Sequence, residues 1–182
     1  AYGLFTNNNI LGVYDWTAGP VSTGINIANN TWHHVAFVFQ DNVTNGSQLY
    51  LDGVAVGSPF TYRILNQSAS LSIGTTVGMT EQFAGAIDEV RIWNVAKTCD
   101  QISQLRNCEL AGNESGLVAY YKFNQGVANG TNTSATTATN AVSGGPTGTL
   151  TNFNLTNGNT TSNWTSPGGV TSGTSCGTIV AP

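Results

Sequence analysis

Apolar and polar residues alternate in short runs through the first half of the chain, and Gly and Asn punctuate the runs. The stretches "AYGLFT", "NILGVYDW", "WHHVAFVF", "SQLYLDGVAVG", "ASLSIGT" and "FAGAIDEVRIW" are rich in β-branched and aromatic residues, as half-buried strands are. The pattern predicts an all-β protein. Asp52-Gly53 lies between "QLYL" and "VAVG" and suits a two-residue type I′ turn, which needs positive φ at both central positions. Ser47–Leu51 is therefore expected to pair with Val54–Ser58. One short, surface-laid helix is expected in "NVAKTCDQISQLRNC", where Thr98 caps, Gln101 completes a capping box, and Ile102 and Leu105 form an apolar stripe. "GLVAYYKFN" reads as one more strand. From Gly126 to Gly148 the chain is mostly Asn, Thr, Ser, Ala and Gly, with few side chains able to bury area, which predicts a long irregular loop or meander. Leu150, Phe153 and Trp164 then offer side chains to a core.

Both histidines fall side by side in "NNTWHHVAFVF", Asn29–Phe39. On a strand, Trp32, His34, Ala36 and Val38 share one face and His33, Val35, Phe37 and Phe39 the other, so the two rings point apart. A shared metal needs converging ligands, which this spacing does not give. The pair is read as part of the fold, with one ring packed under the sheet or bonded to a carbonyl and the other at the surface.

At 182 residues, one sandwich or barrel accounts for the length. Charged residues are only 8%, against about 25% in an average soluble domain, so amides and hydroxyls must supply most of the solubility. The net charge is −4 with five Lys and Arg together, which leaves no basic patch for nucleic acid. No run approaches the ~18 apolar residues of a membrane span, and no signal peptide is read at the start. Cys99, Cys108 and Cys176 lack the close C-x-x-C spacing of zinc or redox motifs. If Cys99 and Cys108 share one helix they stand about 13 Å apart, beyond the roughly 5.5 Å a disulfide spans. Cys176 is expected to bridge to one of them, Cys108 being the better fit, with Cys99 then odd. An oxidising compartment suits this arrangement.

Taken in order, "TWHHVAFVF", "QLYLDGVAVG" and "FAGAIDEVRIWNVAKT" resemble the concanavalin A-like jelly-roll sandwich of laminin-G-like and pentraxin-like domains. "GLVAYYKFNQG", "GTLTNFNLT" and "SNWTSPGGV" are similar to the tail of such domains in large secreted surface proteins of Bacteroidetes. The resemblance covers about residues 2–170 and implies two antiparallel sheets, with 1–170 as the domain and 171–182 as a linker toward a following one. The family's opening aspartate-rich and "EAWV"-like strands do not occur before the chain opens, so N-terminal strands are expected to come from elsewhere in a longer chain or from an assembly partner that completes the sandwich.

The resemblance also implies a structural calcium with Asp88 as a ligand. The competing reading makes Asp88 an acceptor for backbone N–H groups or for Arg91, with Glu89 facing outward. Calcium takes about six to eight oxygens, so Asp88 would need further ligands. Glucanases share this architecture, but their chemistry needs two carboxylates about 5–9.5 Å apart, and no Glu-x-Asp-type set occurs. No G-x-S-x-G elbow accompanies the histidines either. The reading is a non-catalytic module of a secreted or cell-surface adhesin that binds carbohydrate or a cell-surface ligand. Exposed aromatics would form its platform, the candidates being Tyr14, Trp16, Tyr62 and Trp164, with Asn7, Asn8 and Asn9 sharing a loop with Tyr14 and Trp16. The rivals are a purely structural spacer and an accessory domain of a polysaccharide-degrading enzyme.

Overall fold

The computed structural model describes residues 2–15, 18–63, 70–76, 80–155 and 163–177. As the pattern requires, it is all-β: antiparallel sheets with one short helix among the described residues. The chain divides into two compact units, 1–85 with 96–106, and 86–95 with 107–182.

In the first unit, β1 (Tyr2–Asn7), β2 (Ile10–Asp15) and β3 (Gly19–Asn26) form one sheet in chain order. Asn8 and Asn9 join β1 to β2 with φ of 48° and 68°, a left-handed turn that asparagine tolerates. Strand β3 was not expected, because Gly19, Pro20 and Gly24 interrupt its alternation. It pairs only with β2, and at the edge of a sheet the missing Pro20 N–H costs no ladder bond. The second sheet is β4 (Val35–Val38), β5 (Ser47–Leu51) and β6 (Val54–Phe60). The expected hairpin is present, with Leu51 opposite Val54 and Tyr50 opposite Ala55, and with φ of 51° at Asp52 and 82° at Gly53.

Alternation sends Val13, Val21, Phe37, Leu49, Val56 and Phe60 into one core around Tyr62. Phe60 meets Tyr62 edge-on, ring centroids 5.6 Å apart, and Phe37 stacks on Phe60. Helix α1 (Cys99–Leu105) carries the capping box, Thr98 Oγ1 accepting from Gln101 N and Gln101 Oε1 from Thr98 N, and it buries Ile102 and Leu105. The run "ASLSIGT" forms no strand among its described residues; Thr75 makes an isolated bridge to Gln82.

In the second unit, β7 (Val90–Trp93) pairs with β8 (Leu117–Tyr121), and the two-residue β9 (Thr137–Ala138) pairs with β10 (Gly148–Thr149). Strand β7 is shorter than "FAGAIDEVRIW" suggests, because Glu89 takes φ of 56° and breaks the extended run just before it. The Asn- and Thr-rich segment is an irregular meander held by amides. Buried Asn132 accepts from Val127 N and donates to the Val127 and Gly130 carbonyls. Asn140 Oδ1 accepts from Tyr120 N and Val142 N, and its Nδ2 donates to Pro146 O.

The disulfide joins Cys108 to Cys176, and Cys99 is a free, exposed thiol. Residues 171–177 of the expected linker are bound to the second unit: Glu109 N donates to Thr174 O, Cys176 N donates to Glu109 O, and Ser172 Oγ donates to Asn124 Oδ1. Residues 178–182 lie outside the described residues.

Candidate functional site

The outer face of the β4–β5–β6 sheet carries a groove of about 620 Å³. Its floor follows from the same alternation that builds the core. Phe37, Leu49 and Val56 point inward, so Val38, Gln48, Tyr50 and Ala55 point out and line the groove. One end is the loop from Gln40 to Gly46, which Asn42 and Asn45 turn through positive φ of 55° and 52°. Ala96, Lys97 and Thr98, the lead into α1, form a wall.

Chemically, the lining pairs one phenol ring with the amides of Gln40, Asn45 and Gln48, the hydroxyls of Thr44 and Thr98, and the Lys97 ammonium; no Asp, Glu, His or Cys lines it. Gln48 Nε2 donates to the carbonyls of Leu49 and Val56, which fixes its amide with the oxygen as the acceptor end. Burial, and next the nearby Cys99 thiol, push the Tyr50 hydroxyl above its ordinary value, so it remains a donor at neutral pH.

The histidines serve the tip of the β5–β6 hairpin. His33 Nδ1 lies 2.8 Å from Asp52 Oδ2, and His34 N donates to Asp52 Oδ1 at 2.9 Å. His33 Nε2 faces Asn29 Oδ1 and Thr31 Oγ1, each at 3.1 Å. Both histidines are half-buried. The other side of the turn meets α1: Arg106 donates to Asp52 O, Cys99 Sγ donates to Gly53 O, and a Cβ on Gly53 would lie 3.0 Å from Ser103 Cα. Burial pushes the Asp52 carboxyl up, but the His33 hydrogen bond, the His34 N–H and the nearby charges of His33 and Arg106 together hold it below its ordinary value. Trp32, on the same loop, is 40% exposed.

The expected aromatic platform does not assemble. Tyr62 is 2% exposed, a core ring whose hydroxyl donates to Gly19 O; burial, with Asp15 and Tyr14 nearby, pushes that hydroxyl up to about 12. Trp164 is 6% exposed, packed against Phe123 and Phe153. Neither offers a face to a ligand, because Tyr62 packs among Val13, Leu49, Phe37 and Phe60 and Trp164 against two phenylalanines. Tyr14 is half-buried and meets Phe5 edge-on. It pairs with Gly3 at the far end of the hairpin from the Asn7–Asn9 turn, so those asparagines do not share a loop with it. Trp16 lies outside the described residues. The groove tyrosine, Tyr50, was passed over, although its place out of phase with Leu49 and Leu51 marked it as outward-facing.

Asp88 Oδ2 accepts from Gly169 N at 2.8 Å and Val170 N at 3.3 Å, and Gly168 lets the chain approach that oxygen closely. Among the described residues no group of three His, Cys, Asp or Glu is placed to hold a metal. Two N–H donors suit an anion, and one carboxylate is far short of a calcium cage of about six to eight oxygens, so the described residues around Asp88 do not fit the ion. Glu89 pairs with Arg91 at 2.5 Å and also accepts from the Tyr120 hydroxyl; its side chain is 9% exposed, so it faces inward rather than outward. Arg91 and Lys122 each lie 5.3 Å from the Tyr120 ring centroid.

Residues 3–103, more than half of the 182, match the model of the concanavalin A-like lectin/glucanases superfamily. The chain belongs to that superfamily. Within this concanavalin A-like chain, the matched residues hold both sheets of the first unit and the groove. Among solved structures, residues 221–444 of an S-layer domain-containing protein from Clostridium thermocellum are similar at 18% identity and a TM-score of 0.39. The similarity covers 58% of this chain and 63% of that one, so this chain spans less than two thirds of its relative. No curated protein matches. No described helix is long and apolar enough to cross a membrane.

Proposed function

We propose that this concanavalin A-like chain is a non-catalytic extracellular module that binds carbohydrate in the groove over β4, β5 and β6, as part of a secreted or cell-surface adhesin. The lining of the groove carries the reading: a tyrosine ring beside three amides and two hydroxyls, with no carboxylate. A sugar offers patches of C–H for an aromatic ring and hydroxyls that both donate and accept, and amides answer both roles. Glycoside hydrolysis needs a pair of carboxylates, which this groove does not present. The Cys108–Cys176 disulfide and the low charge content suit an oxidising, extracellular setting.

A glycan array probed with the native protein and with Tyr50→Ala tests this reading. The native protein should retain a defined set of glycans, and Tyr50→Ala should weaken binding about tenfold or more, as removal of an aromatic anchor does. Thermal unfolding should stay nearly unchanged, since Tyr50 stands outside the core. No retention by the native protein, or equal retention by Tyr50→Ala, would overturn the assignment and leave a structural spacer as the better account.

A further inference from the structure

A β-bulge at the floor of the groove sets the direction of one amide. The register runs from Ser47 opposite Phe60 to Leu49 opposite Val56, so Gly57, Ser58 and Pro59 of β6 stand opposite Gln48 alone. The backbone ladder is interrupted at such a point. The Gln48 side chain fills the interruption, Nε2 donating to Leu49 O at 2.9 Å and to Val56 O at 2.8 Å. Carbonyls only accept, so the amide has a single orientation, with Oε1 turned away from the ladder. That oxygen accepts from no group among the described residues, it is not a buried atom, and its residue lines the groove.

Apolar side chains surround this fixed acceptor. Val38 stands directly opposite Gln48 in the β4–β5 pair, and opposite residues share a face with their Cβ atoms about 5 Å apart. Tyr50 is the next residue on that face, and Ala55 stands opposite Tyr50. Val43, 45% exposed, lines the loop at the end of the groove. We infer that the groove selects sugars that carry a 2-acetamido group, Gln48 Oε1 accepting from the acetamido N–H while its methyl rests among Val38, Val43 and Ala55. This rests on the groove being the carbohydrate site. In a trans amide the N–H and the methyl lie on the same edge, so a fixed acceptor beside apolar side chains meets both at once. The carbonyl, on the opposite edge, is left to water or to a groove hydroxyl. A sugar hydroxyl in the same place can donate to Gln48 but brings no methyl, and it leaves the three apolar side chains without a partner.

The test measures binding of chitotetraose and cellotetraose to the whole chain by titration calorimetry and ligand-observed NMR. The two differ only in bearing an acetamido or a hydroxyl group at each C2. The native protein should favour chitotetraose by about tenfold or more. Gln48→Met keeps the length of the side chain and removes the acceptor, and it should bring the ratio close to unity. Val38→Thr keeps a β-branched strand residue and both Gln48 bonds while exchanging a methyl for a hydroxyl, and should narrow the ratio by about threefold; it carries the test if Gln48→Met does not fold. An N-acetylgalactosaminide, run against the matching galactoside, tells a terminal glycoprotein sugar from a chitin-like chain as the source of the group. Equal affinity within each pair of ligands, with binding lost in Tyr50→Ala, would overturn the acetamido assignment and leave the carbohydrate reading standing. A preference that both variants keep in full would overturn it as well. Failure of the native protein to bind any glycan would overturn both readings together.

Discussion

The first unit is held by ladders and an aromatic core, whereas the second is held largely by single side chains acting on loops. In the first, two three-stranded sheets close over Val13, Leu49 and Tyr62, and most backbone groups of the strands find partners in their neighbours. In the second, the described strands come only in pairs, and the amides of Asn132 and Asn140, the Tyr120 cluster and one disulfide take over that work. A ladder spreads stability over many weak bonds. A buried amide concentrates it, because losing one side chain strands several partners together.

The largest expected effect comes from the disulfide. It closes 68 residues of chain, worth about 4 kcal/mol by restriction of the unfolded state. Cys108→Ser with Cys176→Ser should therefore destabilise the second unit by about that amount, with hydrogen exchange rising across 107–177 and not in β4, β5 and β6. Equal loss of protection in both sets of strands would erase the distinction between the units.

Next comes a matched pair of substitutions. Leu49→Ala, at 1% exposure, should cost about 3 kcal/mol through the cavity it leaves. Asn132→Ala should cost about 2 kcal/mol, because Val127 N, Val127 O and Gly130 O lose their partner at once. Denaturant unfolding measures both. A negligible effect of Asn132→Ala would show that the meander does not depend on its amide.

The smallest effect is at acid pH. Burial pushes the Glu109 carboxyl up, but hydrogen bonds from Gly173 and Asn124 and the nearby Lys122 ammonium hold it below the ordinary 4.5. A depressed carboxylate stabilises the fold fully above its unfolded value, and that contribution fades as pH falls through the lower folded value. Glu109→Gln should therefore lower the thermal midpoint at neutral pH and converge with the native protein below about pH 3. A constant difference between the two curves at all pH values would mean that the Glu109 charge contributes nothing.

Legibility followed distance along the chain rather than the division into units. The Asp52-Gly53 hairpin and the Thr98–Gln101 capping box were readable because each is encoded within a few adjacent residues. Strand β3 was not, since Pro20 and two glycines mask an edge strand that its neighbour supports. The role of His33 lies 19 residues away at Asp52, and no local pattern announces a pairing of that kind. Glu89 was misplaced because its positive φ interrupts the strand from which its direction was inferred. Tyr62 and Trp164 were taken as platforms on residue type alone, and type does not separate a buried ring from an exposed one.

Gly126 lies so close to Trp164 that a Cβ there would overlap the indole. For a segment that reads as compositional noise, this sets a rule about drift. The stretch 126–148 keeps fixed points at Gly126, Asn132 and Asn140. Homologues should vary in wording and even in length between these points while leaving them in place, so a search that discards low-complexity sequence would discard the residues that hold this unit together.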